Sequence, residues 1–161
     1  MARISKYYYN IEFPTIYIPG TYDMWNVGHI RLFKYARKLF PNAYVIAGVS
    51  SDKLVKSYKY IKPINPLKER METVLSCKYV EHVIVQNTFF NIKQLKKYRI
   101  DFVFLGSDWK GVNFPALEKA QRQLCFQVIY KPYTKEVSSS IIKKRIIKNA
   151  YAIMEAKNKR K

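Results

Sequence analysis

Residues 15 to 40 read TIYIPGTYDMWNVGHIRLFKYARKLF and contain the pattern from which the fold is predicted. The β-branched and aromatic run Thr15 to Ile18 predicts a strand, which ends at a proline–glycine turn. Apolar residues recur at three- and four-residue spacing from Ile30 to Phe40, which predicts an amphipathic helix that starts near Gly28 and His29. Free backbone N–H groups and the positive end of the helix dipole would then lie beside His29, an arrangement that suits a phosphate.

Short apolar runs alternate with helical patterns along the rest of the chain. The predicted further strands are Ala43 to Val49, Val80 to Val85, Phe102 to Leu105 and Gln127 to Tyr130. The predicted further helices are Pro66 to Lys78, Ile92 to Tyr98, Ala116 to Gln123 and Ser139 to Met154, with Asn65 as the cap before Pro66 and Ser138 to Ser140 as caps of the last helix. This alternation predicts an α/β fold, a single-domain, Rossmann-like, doubly wound parallel sheet of about five strands. Ligand would bind outside the carboxyl ends of the strands, where the strand order reverses.

The chain has 161 residues, of which 48% are hydrophobic, so one domain with a substantial core is expected. Residues 1–14 are interpreted as an N-terminal extension, 15–154 as the domain and 155–161 as a basic tail. The two cysteines, Cys77 and Cys125, have no metal-ligand spacing and are expected to be buried thiols. With neither a signal peptide nor a long apolar run in the sequence, the protein is expected to be cytoplasmic, without a transmembrane segment.

The charge is strongly basic, since 30 Lys and Arg against 11 Asp and Glu give a formal net charge of +19. Such a charge attracts nucleotides, phosphorylated metabolites, nucleic acid or an acidic membrane surface, and it does not choose among them. It is equally compatible with a solvated surface. Nucleic acid is the less favoured partner, because the sequence contains no recognisable RNA-binding motif and no basic arm beyond the short tail.

GTYDMWNVGH, residues 20–29, resembles the GTFDxxHxGH signature of the nucleotidyltransferase superfamily, whose HxGH segment binds the phosphates of a nucleoside triphosphate. Asn26 stands where the first His is usual. The resemblance implies a nucleotide-binding loop formed by Gly20, Thr21, Tyr22, Asp23, Gly28 and His29. Within it, Asp23 would shape the loop, and His29 and Asn26 would be catalytic.

Two later segments narrow the resemblance. DFVFLGSDWKG, residues 101–111, is similar to the GDDWxG segment of glycerol-3-phosphate cytidylyltransferases and their phosphocholine and phosphoethanolamine relatives. It implies nucleotide or acceptor contacts from Gly106, Asp108 and Trp109, although Trp109 could instead cover the sheet edge. YKPYTKEVSSSIIKK, residues 130–144, resembles the RTxGISTT segment, which implies that Ser138, Ser139 and Ser140 hold phosphates. Here Tyr133 and Glu136 replace the usual Arg and Gly.

Two basic residues complete the predicted catalytic set. Residues 51–63 are interpreted as a flexible basic loop with lysines at 53, 56, 59 and 62, and Lys56 is the best positional match to a phosphate-binding lysine of similar cytidylyltransferases. Arg70 matches an arginine that would lie near the triphosphate or the acceptor's phosphate. Plain solubility for the lysines and a surface ion pair for Arg70 are the alternatives.

The resemblance implies a cytidylyltransferase that transfers CMP from CTP, with Mg²⁺, to a phosphorylated alcohol such as glycerol 3-phosphate, and that releases pyrophosphate. Asn26 removes a group that can become cationic, so impaired activity or an inactive nucleotide-binding relative is the alternative. Adenylyl transfer and a basic nucleic-acid-binding protein are further alternatives. Family members are often dimers, so a homodimer is possible.

Overall fold

The computed structural model describes residues 12–132, 134 and 137–158. The strands are Thr15–Gly20 (β1), Tyr44–Ser50 (β2), His82–Gln86 (β3), Phe102–Gly106 (β4) and Gln127–Lys131 (β5). The helices are Val27–Leu39 (α1), Asp52–Lys59 (α2), Leu67–Leu75 (α3), Ile92–Lys97 (α4), Pro115–Leu124 (α5) and Ser139–Asn158 (α6), with a 3₁₀ turn at Ser107–Trp109.

The strands form one parallel sheet in the order β3-β2-β1-β4-β5. Chain progression therefore reverses direction between the neighbours β1 and β4, as it does in doubly wound folds. The predicted α/β, Rossmann-like class and the five strands are confirmed. The predicted ligand crevice corresponds to the carboxyl ends of β1 and β4.

The sheet is buried on both faces, which explains why its strands read as continuous apolar runs. Ile16 and Ile18 point to one core cluster, which includes Phe33 of α1 and Val74 of α3. Tyr17 points to the other face, where a second cluster includes residues of α4 and α5. These three consecutive β1 residues are at most 1% exposed.

Residues 51–63 are not the flexible loop that the sequence predicted, because α2 occupies most of this stretch. The hydroxyl of Ser51 caps the helix by accepting a hydrogen bond from Leu54 N (3.2 Å). Leu54 and Val55 are buried, whereas the backbone of Tyr60 ends the helix with φ of 60°. The sequence did not predict this helix because its two buried apolar residues are adjacent and lie among four lysines, so the apolar residues do not recur at helical spacing.

The predicted cap of α3 is also wrong. Pro66, rather than Asn65, occupies the capping position, and it has no side-chain hydrogen bond there. Asn65 instead accepts a hydrogen bond at Oδ1 from Met24 N (3.3 Å), so its side chain ties the loop after β1 to the segment before α3.

Helix α6 projects from the domain over most of its length. Every residue from Lys144 to Lys157 is exposed, including Ile146 and Tyr151, so the prediction that one apolar face packs is wrong for this part of the helix. The helix continues past the predicted end of the domain at Met154. Residues 1–11 of the predicted extension and 159–161 of the predicted tail lie outside the described residues.

The two cysteines differ in environment. Cys77 is half-buried, but Cys125 is exposed in the left-handed conformation that follows α5, so the prediction of burial is wrong for Cys125. Among the helices of the described ranges, none has the length and apolar character required to cross a membrane.

Candidate active site

A two-lobed cavity lies at the carboxyl ends of the strands. One lobe, of about 350 Å³, contains Ser50, Gln86 and several rings, and we call it the aromatic lobe. The other, of about 300 Å³, contains Asn26, Gly28 and Lys131, and we call it the helix lobe. Both lobes are lined by Pro19, Gly20, Tyr22, His29, Lys59, Asp108, Trp109, Ser139 and Ser140. The cavity thus brings together most of the residues that the sequence predicted.

The loop after β1 is held by its own aromatic side chain. Tyr22 adopts a positive φ of 55° and donates from its hydroxyl to Ile18 O (2.7 Å). Its ring lies so close to Gly20 that an added Cβ would sit 2.8 Å from it, so a glycine is required there. Thr21 contacts the Tyr58 hydroxyl at 2.8 Å, which joins the loop to α2.

Asn26 is the N-cap of α1. Its Oδ1 accepts from Gly28 N (2.9 Å), and its Nδ2 donates to Met24 O (3.1 Å). The residue that replaces the first His therefore uses its side chain to begin the helix. A ligand phosphate is not required to explain an asparagine at this position.

His29 is held as a neutral hydrogen-bond donor. Asn26 N donates to its Nδ1 (3.2 Å), so the ring proton resides on Nε2. The ring stacks on Trp25, with centroids 5.3 Å apart, and meets the edge of Tyr22. Burial first, and then the charge of Lys59, lower the pKa of His29 from 6.5 to about 4. The imidazole therefore offers an Nε2–H group to the cavity without carrying a charge.

Asp23 fastens three segments together. Its Oδ1 accepts from Ile64 N (2.9 Å) and Asn65 N (3.0 Å), and its Oδ2 pairs with Lys143 Nζ (2.7 Å) on α6. Its backbone carbonyl accepts from the hydroxyl of Ser139 (2.5 Å). Burial alone would raise the pKa of Asp23, but the bonds from Lys143 and from the two amides lower it overall. These contacts match the organising role expected of this residue.

Arg70 is buried in protein contacts rather than presented to a phosphate. It is 1% exposed, and its Nη1 donates to Thr21 O (2.5 Å) and Ser50 O (2.9 Å). Its Nε donates to Asn65 O (3.0 Å), and its Nη2 pairs with Asp52 (2.6 Å). Among the described residues, Arg70 does not line either lobe. Every guanidinium nitrogen thus has a protein partner, an arrangement that favours a structural role over the predicted phosphate contact.

Of the four lysines predicted in this segment, Lys59 and Lys62 line the cavity, whereas Lys56 lines neither lobe. Lys56 and Lys59 both lie on α2 and both are exposed, but of the two only Lys59 lines the lobes. Lys59 Nζ donates to Thr21 Oγ1 (3.3 Å). Burial first, and then the nearby Lys143, lower the pKa of Lys59. A phosphate-binding lysine in this segment stays a prediction, and the lysine of α2 that the structure brings to the cavity is Lys59.

The segment after β4 forms one wall of the cavity. An added Cβ on Gly106 would collide with the carboxylate of Asp108, so the glycine allows that side chain to fold back. Trp109 stacks on Phe114, with centroids 5.2 Å apart and an angle of 16°. Phe89 meets the edges of both rings. Trp109 is therefore part of an aromatic wall that lines the cavity.

Several wall residues were missed by the sequence reasoning. They are Tyr58, Gln86, Phe89, Phe90 and Phe114. Three of them could have been identified from their position in the sequence. Gln86 is the last residue of β3, and Phe89 and Phe90 follow it, so all three lie at the edge of the sheet where ligands bind.

The three serines stand at the start of α6. The hydroxyl of Ser138 accepts from Ile141 N (3.2 Å), so Ser138 is confirmed as a cap. Ser139 and Ser140 line both lobes. The cavity thus receives the N-terminal ends of α1 and α6, which favour an anion. Tyr133 and Glu136 lie outside the described residues.

The family model described as cytidylyltransferase-like matches residues 17–145. The chain belongs to the cytidylyltransferase-like family. It is 31% identical over 153 residues to ethanolamine-phosphate cytidylyltransferase from Mus musculus, a match that covers 91% of this chain and 37% of that protein. It is 39% identical over 90 residues to choline-phosphate cytidylyltransferase A from Homo sapiens, covering 55% and 24%, respectively.

Solved structures agree with the fold. A lipopolysaccharide core biosynthesis protein from Thermoplasma volcanium superposes with a TM-score of 0.62 at 20% identity, covering 77% of this chain and 98% of that one. Thermotoga maritima TmcAL superposes with a TM-score of 0.64 at 12% identity, covering 88% and 52%. At such identities the likeness concerns the fold alone.

Proposed function

We propose that this protein is a cytidylyltransferase that transfers CMP from CTP to a phosphorylated alcohol and releases pyrophosphate. The observation that carries the proposal is the convergence of two helix N-termini, the Nε2–H group of His29 and the ammonium group of Lys59 on one cavity. The family and the names of the relatives support CTP as the nucleotide and a phosphorylated alcohol as the acceptor.

In the proposed reaction, a phosphate oxygen of the acceptor attacks the α-phosphorus of CTP. The bond between the α-phosphorus and the bridging oxygen to the β-phosphorus breaks, and pyrophosphate leaves with that oxygen. Catalysis consists of positioning and of stabilising the charge on the transferring group, without a covalent enzyme intermediate. His29 donates a hydrogen bond to phosphate, Lys59 supplies positive charge, and the hydroxyl of Ser140 and the backbone N–H groups at the start of α6 hold the pyrophosphate.

Mg²⁺ would be held largely by the nucleotide phosphates. The described residues contain no group of three His, Cys, Asp or Glu that could hold a metal ion by themselves. Asp108 lines both lobes, whereas both carboxylate oxygens of Asp23 have protein partners. A single carboxylate beside phosphates fits the usual binding of Mg²⁺, and the ion would neutralise phosphate charge.

A nucleotide-binding protein without turnover is the second candidate. It is favoured by Asn26, whose amide is engaged by the backbone of Met24 and Gly28. A histidine there could supply a charged donor to the transition state, and its absence would cost on the order of 10² to 10³ in rate by analogy with a lost oxyanion donor.

The test is pyrophosphate release with Mg²⁺ and a panel of phosphorylated alcohols, with CTP and ATP compared. Turnover with CTP that is lost in His29→Ala establishes the proposed enzyme. Asn26→His, run in parallel, separates the candidates. Turnover in that variant alone, or CTP binding without turnover in both, contradicts the enzyme and supports nucleotide binding. Sedimentation of the same samples tests the possible homodimer.

A further inference from the structure

One buried polar group in the aromatic lobe has no protein partner. Gln86, the last residue of β3, is 2% exposed and lines this lobe. Its Oε1 accepts a hydrogen bond from the hydroxyl of Ser50 (3.0 Å). None of the described residues accepts a hydrogen bond from its Nε2. Because an unpaired buried donor is unfavourable, the amide points to a partner that the lobe receives from outside.

The position of the lobe indicates which substrate supplies this partner. The helix lobe is lined by the carboxyl ends of β1, β4 and β5, through Gly20, Gly106 and Lys131. Both lobes reach the ends of β1 and β4, where the strand order reverses, but only the helix lobe is also lined by Gly28 and Ser138, at the N-terminal ends of α1 and α6, where phosphates bind. The aromatic lobe adds Ser50 and Gln86, from the ends of β2 and β3. If the helix lobe holds CTP, the aromatic lobe is left for the acceptor.

The chemistry of the lobe selects among acceptors. The Nε2–H group of Gln86 requires a lone pair, which a hydroxyl group has and an ammonium or trimethylammonium group lacks. Three lysines (Lys59, Lys62 and Lys143) and two aspartates (Asp23 and Asp108) line the same lobe, so its net positive charge opposes a cationic head group. The rings of Trp109 and Phe114 stack on each other, so one face of each ring is covered and only the other face is available to a cation.

We propose that Gln86 donates a hydrogen bond from Nε2 to a hydroxyl group of the acceptor, and so selects a phosphorylated polyol over a phosphorylated amino alcohol. This inference rests on the proposed function and makes Gln86 a specificity-determining residue of it. The relatives named above act on ethanolamine phosphate and choline phosphate, so the inference separates this chain from them in acceptor.

The experiment compares glycerol 3-phosphate with propyl phosphate, which lacks both hydroxyl groups, as acceptors for the natural protein and for Gln86→Met. We expect kcat/KM of the natural protein to favour glycerol 3-phosphate by about tenfold to a hundredfold. Gln86→Met should reduce this preference to near unity and leave KM for CTP unchanged. Phosphoethanolamine and phosphocholine should be poorer acceptors than glycerol 3-phosphate.

Ser50→Ala is the matched control, because it removes the partner of Oε1 but keeps the Nε2 donor, and it should retain the preference. A preference that survives Gln86→Met overturns the inference, as does better use of phosphocholine. Weaker CTP binding in Gln86→Met would indicate that the Gln86 amide contacts the nucleotide rather than the acceptor, and would also overturn the inference. Circular dichroism checks each fold, with Gln86→Leu as the substitute if Gln86→Met unfolds.

Failure of the proposed function gives a different result. In that case no acceptor is turned over. Calorimetric binding of glycerol 3-phosphate and of propyl phosphate, with α,β-methylene-CTP present, then decides the inference about Gln86 without chemistry. Equal affinities for the two compounds, or a difference that Gln86→Met does not remove, would contradict it.

Discussion

Replacing Arg70 by Met tests whether this buried arginine supports the site or binds a phosphate. The change removes four hydrogen bonds, those to Thr21 O, Ser50 O, Asn65 O and Asp52 Oδ1, and it leaves three backbone carbonyls without this partner. Hydrogen bonds to a charged group contribute about 1.5–3 kcal/mol each, but such losses do not add fully. Because the Asp52 side chain is 46% exposed and stays hydrated in the variant, the loss comes chiefly from the backbone carbonyls, and we expect about 3 kcal/mol for Arg70→Met.

The assay is urea unfolding followed by circular dichroism, with CTP affinity measured by calorimetry on the folded variant. Arg122→Met, at an exposed position of α5, is the matched control and should change the free energy of unfolding by less than about 0.5 kcal/mol. Arg70→Lys should restore little, because an ammonium group cannot reach partners on opposite sides of a planar fork. A stability loss below about 1 kcal/mol in Arg70→Met, with CTP binding abolished, would refute the supporting role and restore the phosphate contact.

Three further predictions concern the remaining charged and capping groups. Lys59→Met should weaken CTP binding about tenfold or more by calorimetry, whereas Lys56→Met, at a residue that lines neither lobe, should have little effect; equal losses would contradict the assignment. Asn26→Ala should lower the free energy of urea unfolding by about 1 kcal/mol while Asn26→Asp retains the cap, and equal stabilities would argue against the capping role. Because burial and Lys59 lower the pKa of His29 to about 4, the unfolded chain binds this proton more readily, so stability relative to His29→Gln should fall as the pH drops from 6.5 towards 4. A difference that stays constant between these pH values would contradict a neutral buried imidazole.

Local pattern was sufficient for the elements of the sheet. Each predicted strand overlaps an observed one, from Thr15–Gly20 to Gln127–Lys131, because strands buried on both faces require continuous β-branched and apolar runs. The order of elements then fixed the class of fold and the edge of the sheet where ligand binds. The placement of His29 beside a helix N-terminus also followed from neighbouring residues, through the end of β1 and the start of α1.

The partners of individual side chains did not follow from local pattern. Helix α2 was missed because Leu54 and Val55 become buried only against the rest of the domain, and without the helix the sequence could not distinguish Lys56 from Lys59. Helix α6 gives the opposite error. Its regularly spaced apolar residues predicted a packed face, but residues 144–157 are exposed in the part of the chain that the structure describes.

The sequence by itself determined that this protein is an α/β domain of the cytidylyltransferase type, with its site between β1 and α1. The tertiary structure decided which groups these side chains contact: Arg70 bonds to Thr21, 49 positions away, and Gln86 bonds to Ser50, 36 positions away. The physical reason is that helical and strand periodicity and helix capping depend on residues a few positions apart, so they can be predicted from the sequence. Hydrogen-bond partners and burial arise from segments that meet only when the chain has folded.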